Sequence, residues 1–133
     1  MSSDAYSANR TILTSLWIVA LLNYAYADIF TLFFSTEAQS FANMPPMGML
    51  GLAVLMEVAI LMVILNWVLP TSYNRWANVI AAMVHTLAAL SSLFVGAAVQ
   101  PYYFFFVAVE SVVTLVIIAY AWRRPRGRTL DAG

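Results

Sequence analysis

Four long apolar runs constrain this chain more than any other feature of its sequence. They cover about residues 11–34, 48–69, 76–99 and 102–122, and each is long enough to cross the hydrocarbon core of a bilayer. With 63% hydrophobic and only 9% charged residues among 133, a soluble fold of this size could not hide so much apolar surface from water. Because a segment in lipid must satisfy its own backbone hydrogen bonds, the runs are expected to be α-helices.

The links between these runs are short, and short links favour antiparallel neighbours. The longest link covers residues 35–47 and contains the turn-like string Asn43-Met44-Pro45-Pro46. Thr71 to Arg75 forms the second link, and the third is little more than Gln100-Pro101. The sequence therefore predicts an all-α fold with a single domain, residues 1–133, built as an antiparallel bundle of four transmembrane helices.

The basic residues indicate which side of the bundle faces the cytoplasm. An even number of spans places both termini and the second link on one side, and that side holds all the basic residues: Arg10, Arg75, Arg123, Arg124, Arg126 and Arg128. By the positive-inside rule, the N-terminus and the arginine-rich tail, residues 123–133, are expected in the cytoplasm. Aromatic residues mostly near the run ends are expected to anchor the helices at the interfaces: Trp17, Trp67, Trp76, Trp122, Tyr73, Tyr102 and Tyr103.

Each apolar run carries one titratable side chain, and these four residues are the strongest candidates for a site. In chain order they are Asp28, Glu57, His85 and Glu110. An ionised group at the bilayer centre costs about 2.5–3.5 kcal/mol on insertion scales, so these side chains are expected to turn inward and share one polar layer. Supporting polar side chains fall on the same predicted helices: Tyr24, Thr31, Asn78, Ser92 and Thr114.

The third run shows which of its faces should be buried. Small and polar residues recur in it at alternating spacings of four and three: Asn78, Ala82, His85, Ala89, Ser92 and Gly96. Such a stripe lets helices approach closely in a membrane.

Two kinds of function fit a buried polar layer. The layer could be the core of a proton-linked transporter or channel for a small solute or ion, in which His85 is the group most suited to titrate near neutral pH. A homo-oligomer would then give more room for a pathway. Alternatively, the protein is a non-catalytic membrane scaffold or binding subunit, and its neutral acids hydrogen-bond across helices and hold the bundle together.

Other site chemistry has weaker support in the sequence. Met44, Met47 and Met49 offer spaced thioethers of the kind that bind Cu(I), but three methionines form a short and nonspecific signal. Neither membrane glutamate is followed by a histidine at the spacing of di-metal helical bundles. No cofactor, no enzymatic nucleophile and no nucleic-acid partner is expected, and the lipid bilayer is the expected surrounding.

Several strings in the sequence resemble a domain-of-unknown-function family of small bacterial four-helix integral membrane proteins. The most distinctive are Asn23-Tyr24-x-Tyr26-Ala27-Asp28 in the first run and Asn74-Arg75-Trp76-Ala77-Asn78 at the start of the third. Met56-Glu57 and Tyr120-Ala121-Trp122 add to the resemblance, which extends over about residues 10–124. It implies four helices in a bacterial inner membrane and implies no activity.

Overall fold

The computed structural model describes residues 3–34, 43–94 and 100–123, with side chains from residue 6 onward. Those residues form four helices: α1 (Ser3–Phe34), α2 (Pro46–Val68), α3 (Thr71–Ser92) and α4 (Pro101–Trp122). The prediction of an all-α chain is confirmed for this part of the sequence. Several predicted features lie outside the described residues, namely much of the first link, the end of the third run with Gly96, and most of the tail.

Prolines mark the beginnings of three helices. Pro46 and Pro101 are the first residues of α2 and α4, where the missing N–H of proline costs nothing. Pro70 precedes α3, and its carbonyl accepts a 2.9 Å hydrogen bond from the backbone N–H of Asn74. Residues 71–75, expected as a link, are therefore the first helical turn of α3.

The four helices pack as a ring in which each lies against its two neighbours. α1 packs against α2 and α4, and α3 packs against the same two helices from the opposite side. Side chains of α1 and α3 meet across the middle: Trp17 bonds Asn78, and Tyr24 bonds His85. The centre of the ring is thus filled by side chains from diagonal helices.

The outer surface of the bundle is strongly apolar. Large side chains such as Leu22, Ile64 and Leu115 are each more than half exposed. A hydrocarbon surrounding accepts such a surface, whereas a soluble protein rarely exposes one of this extent. α1 from Tyr6, α2 and α4 are long and apolar enough to cross a membrane, by length and composition.

α3 is the least apolar helix in the described part of the chain, and its polar residues explain why. Asn74, Asn78 and His85 all lie on its buried face, so these polar side chains point into the bundle. α3 is not among the helices that qualify as spans by hydropathy. That α3 also crosses the membrane stays a prediction.

The end of α2 is held by an arginine from α1. Arg10 donates hydrogen bonds to the carbonyl oxygens of Trp67, at 2.5 Å, and Leu69, at 2.6 Å, and it also bonds the Tyr6 hydroxyl. The last carbonyls of a helix have no partner within the helix and carry partial negative charge. Arg10 supplies both the donors and the positive charge that this helix end lacks.

Candidate functional site

The polar stripe expected on the third run forms the inner face of α3. Asn78, Ala82, His85 and Ala89 are all buried, as their spacing predicts. Ser92 at the end of the helix is half-buried, and its hydroxyl donates to the Ala89 carbonyl at 2.6 Å. This face brings the only histidine of the chain into the middle of the bundle.

His85 is fully buried between two aromatic side chains of α1. Its Nδ1 lies 2.8 Å from the Tyr24 hydroxyl, and the Tyr24 ring stacks on the imidazole with centroids 5.3 Å apart. The Trp17 ring meets the imidazole edge-on from a centroid distance of 5.4 Å. The histidine is therefore fixed in orientation by contacts on more than one side.

Glu110 joins this cluster from α4. It is buried, and its carboxyl group lies close enough to the Tyr24 hydroxyl to interact with it. A phenol has one proton, so it cannot donate to Glu110 and to His85 at the same time. When it donates to Glu110, the Nδ1–H of His85 donates to the phenol oxygen, and Nε2 is left as an acceptor. Nε2 is buried and has no hydrogen-bond partner.

Asp28 lies at the edge of the same cluster. It follows Tyr24 by one helical turn and is exposed on α1, yet it is close enough to Glu110 for their charges to interact. The structure thus brings three of the four predicted titratable residues into one neighbourhood, with Asp28 at its surface.

Glu57 lies elsewhere, on the outside of the bundle. α2 turns Ala59, Met62 and Asn66 inward, and Glu57 precedes Ala59 by two residues, which is about 200° around a helix. The expected inward direction of Glu57 is therefore not what this chain shows. The sequence places one titratable residue in each apolar run, and this pattern does not indicate which face of α2 packs against the other helices.

A second polar network joins α1, α2 and α3. The Asn78 amide donates to the side-chain oxygens of Asn66, at 2.7 Å, and Asn74, at 2.9 Å, while its own oxygen accepts from Trp17 Nε1 at 2.8 Å. Asn74 in turn donates to the backbone carbonyl of Asn66 at 3.0 Å. All four side chains are buried, and the network bonds most of their polar atoms, while Asn66 Nδ2 is buried without a hydrogen-bond partner.

Trp17, Asn66 and Asn74 were not among the predicted site residues. Trp17 was expected at the membrane interface, but it is fully buried in the core. Its indole N–H needs a buried acceptor, and Asn78 provides one. Asn66, an amide within an apolar run, was the sequence signal that could have pointed to this network.

The predicted threonines have local roles. The Thr114 hydroxyl lies 2.7 Å from that of Thr86, which ties α4 to α3, and it also donates to the Glu110 carbonyl at 2.9 Å. Thr31 is buried but donates to the Ala27 carbonyl of its own helix. Each of these hydroxyls thus donates to a backbone carbonyl of its own helix.

A copper site at the three spaced methionines stays a prediction. Met47 is 76% exposed, Met49 is 52% exposed, and Met44 packs over the Cα of Gly48. In the described ranges, no group of three or more His, Asp or Glu side chains is arranged to hold a metal ion. The best-formed chemical feature remains the Tyr24, His85 and Glu110 cluster.

Comparison with known proteins places the chain in a family. The model of a family of unknown function, DUF6326, matches residues 3–129. No curated protein and no solved structure matches the chain. The resemblance expected from the sequence strings is confirmed: the chain belongs to DUF6326, a family of unknown function.

Proposed function

We propose that this protein is a multi-pass protein of the bacterial inner membrane that acts as a non-catalytic assembly subunit, joining a second copy of itself through α2. One observation carries the proposal: Glu57 is exposed at the midpoint of α2, the most apolar of the helices that qualify as spans. A carboxyl group in hydrocarbon is expensive, and membrane acids almost always face a protein partner or water. A surface that covers Glu57 is therefore expected.

The residues around Glu57 have the spacing of a helix–helix contact. An exposed stripe runs along α2 at alternating steps of three and four: Leu50, Ala53, Glu57, Ile60, Ile64 and Trp67. This spacing is the one that keeps a seam facing a partner helix. Near it, a Cβ added at Gly51 would meet nothing, so the backbone there is open to a close neighbour.

A second copy is the partner that this stripe fits best. A two-fold axis along the membrane normal would place Glu57 against the same residue of the other chain. Two carboxyl groups that retain their protons can donate to and accept from each other, which removes both from lipid. The rest of the stripe is apolar and would pack against itself.

The proposed topology has four spans, alternating in direction, with both termini in the cytoplasm. Contacts of α1 with α3 advance along both helices together, from Tyr6 with Thr71 to Tyr24 with His85, which supports a parallel diagonal pair. Thr86 meets Thr114, and Trp76 meets Trp122, which supports an α4 of opposite direction. The positive-inside rule supports the cytoplasmic assignment.

Cysteine cross-linking in lipid tests the assembly, because the chain has no cysteine of its own. Ile60→Cys lies on the stripe, and Leu87→Cys is its control on the exposed face of α3. We expect oxidation to link two chains through residue 60 and not through residue 87. Glu57→Ala is expected to weaken the dimer by about threefold to tenfold, whereas Glu57→Gln keeps a hydrogen-bonding pair.

Two results would contradict the proposal. One is a monomer by single-molecule counting in bilayers at protein densities where cross-linking is tested. The other is equal cross-linking at both positions, which would indicate random collision in the membrane.

Proton-linked transport is a second candidate, favoured by the line of protonatable groups from the surface to the core. Asp28 is exposed, Glu110 lies close to it, and Tyr24 connects Glu110 with His85. An imidazole can accept a proton at one ring nitrogen and donate one from the other. These groups would carry a proton from the lateral surface of the bundle into its core.

Proton flux into liposomes tests this second candidate. With an imposed pH gradient, we expect wild-type protein to dissipate the gradient faster than empty liposomes do, and Glu110→Gln to abolish the difference. Asn43→Gln, a change at an exposed turn residue, is the matched control. Flux equal to that of empty liposomes under every gradient tested would eliminate the transporter.

A further inference from the structure

A pocket of about 290 Å³ opens at the end of the bundle that carries the arginines. Arg10 of α1, Arg75 of α3 and Arg123 after α4 all line it. No aspartate or glutamate is among its described lining residues, so the positive charge there is not balanced within the pocket. Three guanidinium groups around one cavity are an arrangement that favours an anion.

Two of these arginines are available to a ligand. Arg75 lies over the Trp122 ring at 3.6 Å, and its Nε is buried with no hydrogen-bond partner. Arg123 lies over the Tyr120 ring at 5.1 Å, and its side chain is exposed. Stacking on an aromatic ring leaves the in-plane N–H donors of a guanidinium free to bind another group. Arg10, by contrast, already donates to the end of α2 and adds mainly its charge.

The beginning of α3 adds backbone donors to the same pocket. Thr71 and Ser72, the first two helical residues, both line it. Pro70 gives this helix end no side-chain cap, and no acidic residue lies in its first turn. Free N–H groups and the positive end of the helix dipole therefore add to the three arginines.

We propose that this pocket, with Arg75, Arg123 and the N-terminus of α3, is a binding site for a phosphate group. Arginine matches phosphate through two parallel N–H···O bonds, which a lone helix end cannot provide. The volume suits a single headgroup or a free phosphate rather than a large ligand. The site is distinct from the Glu57 stripe and does not depend on the proposed dimer.

The phosphate could come from a lipid headgroup or from solution. Under the proposed topology, the pocket lies at the cytoplasmic interface, where basic pockets between membrane helices bind anionic headgroups. Trp76 and Trp122 also line the pocket, so their fluorescence reports on its occupancy.

The experiment measures binding to the full chain in maltoside detergent, which carries no phosphate group. In one arm, inorganic phosphate is titrated against tryptophan fluorescence. In the other, phosphatidylglycerol is added to the detergent-solubilised protein, and retained lipid is counted by native mass spectrometry. Binding in the first arm assigns the site to soluble phosphate, and binding in the second assigns it to the headgroup; either result supports the proposal.

Variants then tie the binding to the pocket. We expect Arg75→Gln and Arg123→Gln each to weaken binding about tenfold or more, because each removes charged hydrogen bonds to the anion. Arg75→Lys keeps the positive charge but cannot form two parallel hydrogen bonds to one phosphate. We expect this variant to bind with intermediate affinity. Arg128→Gln removes the same charge from the tail and should bind as wild type does.

Thermal unfolding checks that each variant is folded. Because the Arg123 side chain is exposed, Arg123→Gln still tests the pocket if the change at Arg75 disturbs the fold. The proposal is overturned if neither arm detects binding by wild type. It is equally overturned if Arg123→Gln and Arg128→Gln weaken binding to the same extent, because net charge rather than the pocket would then be responsible.

Discussion

At the scale of single residues, buried side-chain amides organise this protein as much as its titratable groups do. Asn78 lies at the junction of α1, α2 and α3 and bonds Trp17, Asn66 and Asn74. In a membrane, apolar contact with a helix is no better than apolar contact with lipid, so hydrogen bonds and close packing select the arrangement. The asparagine network therefore sets the relative rotation of these helices.

The first prediction concerns Asn78. Asn78→Ala would leave Trp17 Nε1 and the Asn66 side-chain oxygen without their partners in a buried region. We expect it to lower the free energy of unfolding by about 1–3 kcal/mol. Unfolding in detergent measures this, with Ser91→Ala as the control, since the exposed Ser91 bonds only its own helix. An equal effect of both variants would show that the network adds little.

The burial of side chains could be predicted from the sequence for α3 but not for Trp17 of α1. The buried face of α3 followed from the spacing of Asn78, His85 and Ala89, because a helix repeats every 3.6 residues and its small and polar positions recur in step. Trp17 was misplaced because a tryptophan near the end of an apolar run equally suits an interface or a core. Its acceptor, Asn78, is 61 residues away in sequence, and only the fold brings it close.

At the scale of helices, the connection between α2 and α3 is held by hydrogen bonds from α1 and α3. Arg10 bonds two carbonyls at the end of α2, and Asn74 bonds a third, at Asn66. Unpaired carbonyls at a helix end would be costly near hydrocarbon. These contacts allow α3 to begin immediately after Pro70 instead of after a longer link.

The second prediction concerns Arg10. Arg10→Gln is expected to loosen the last turn of α2, because two carbonyl acceptors lose charged donors. Hydrogen exchange should accelerate at the backbone amides of residues 65–69, with about 1–3 kcal/mol less protection. Arg123→Gln is the matched control, since it removes the same charge from the same pocket but its exposed side chain lies over Tyr120 and does not bond α2. Equal acceleration in both variants would contradict the capping role.

At the scale of the whole molecule, the bundle is a ring of four helices with a bonded centre and an apolar exterior. One end of the ring carries Arg10, Arg75 and Arg123 around a pocket. The exterior of α2 carries Glu57, so the molecule presents a carboxyl group on a surface made for lipid or for another chain. The contacts with other molecules that we propose rest on these two outer features and not on the core.

The third prediction concerns topology. Single cysteines placed by Ser72→Cys and Asn43→Cys lie at exposed positions beyond opposite ends of α2. A thiol reagent that does not cross membranes should label residue 72 only from the cytoplasmic side and residue 43 only from the outer side. Wild type has no cysteine and serves as the unlabelled control. Labelling of both positions from one side would contradict a span at α2.

The sequence alone determined the all-α class of the described residues and the buried face of α3. Hydropathy and spacing are local properties, and an apolar run of sufficient length has few alternatives to a helix. The sequence did not determine that Glu57 faces outward or that Tyr24, His85 and Glu110 meet. Those relations depend on how each helix is rotated against its neighbours. The tertiary structure decides that rotation through bonds between residues far apart in the chain, such as Trp17 with Asn78.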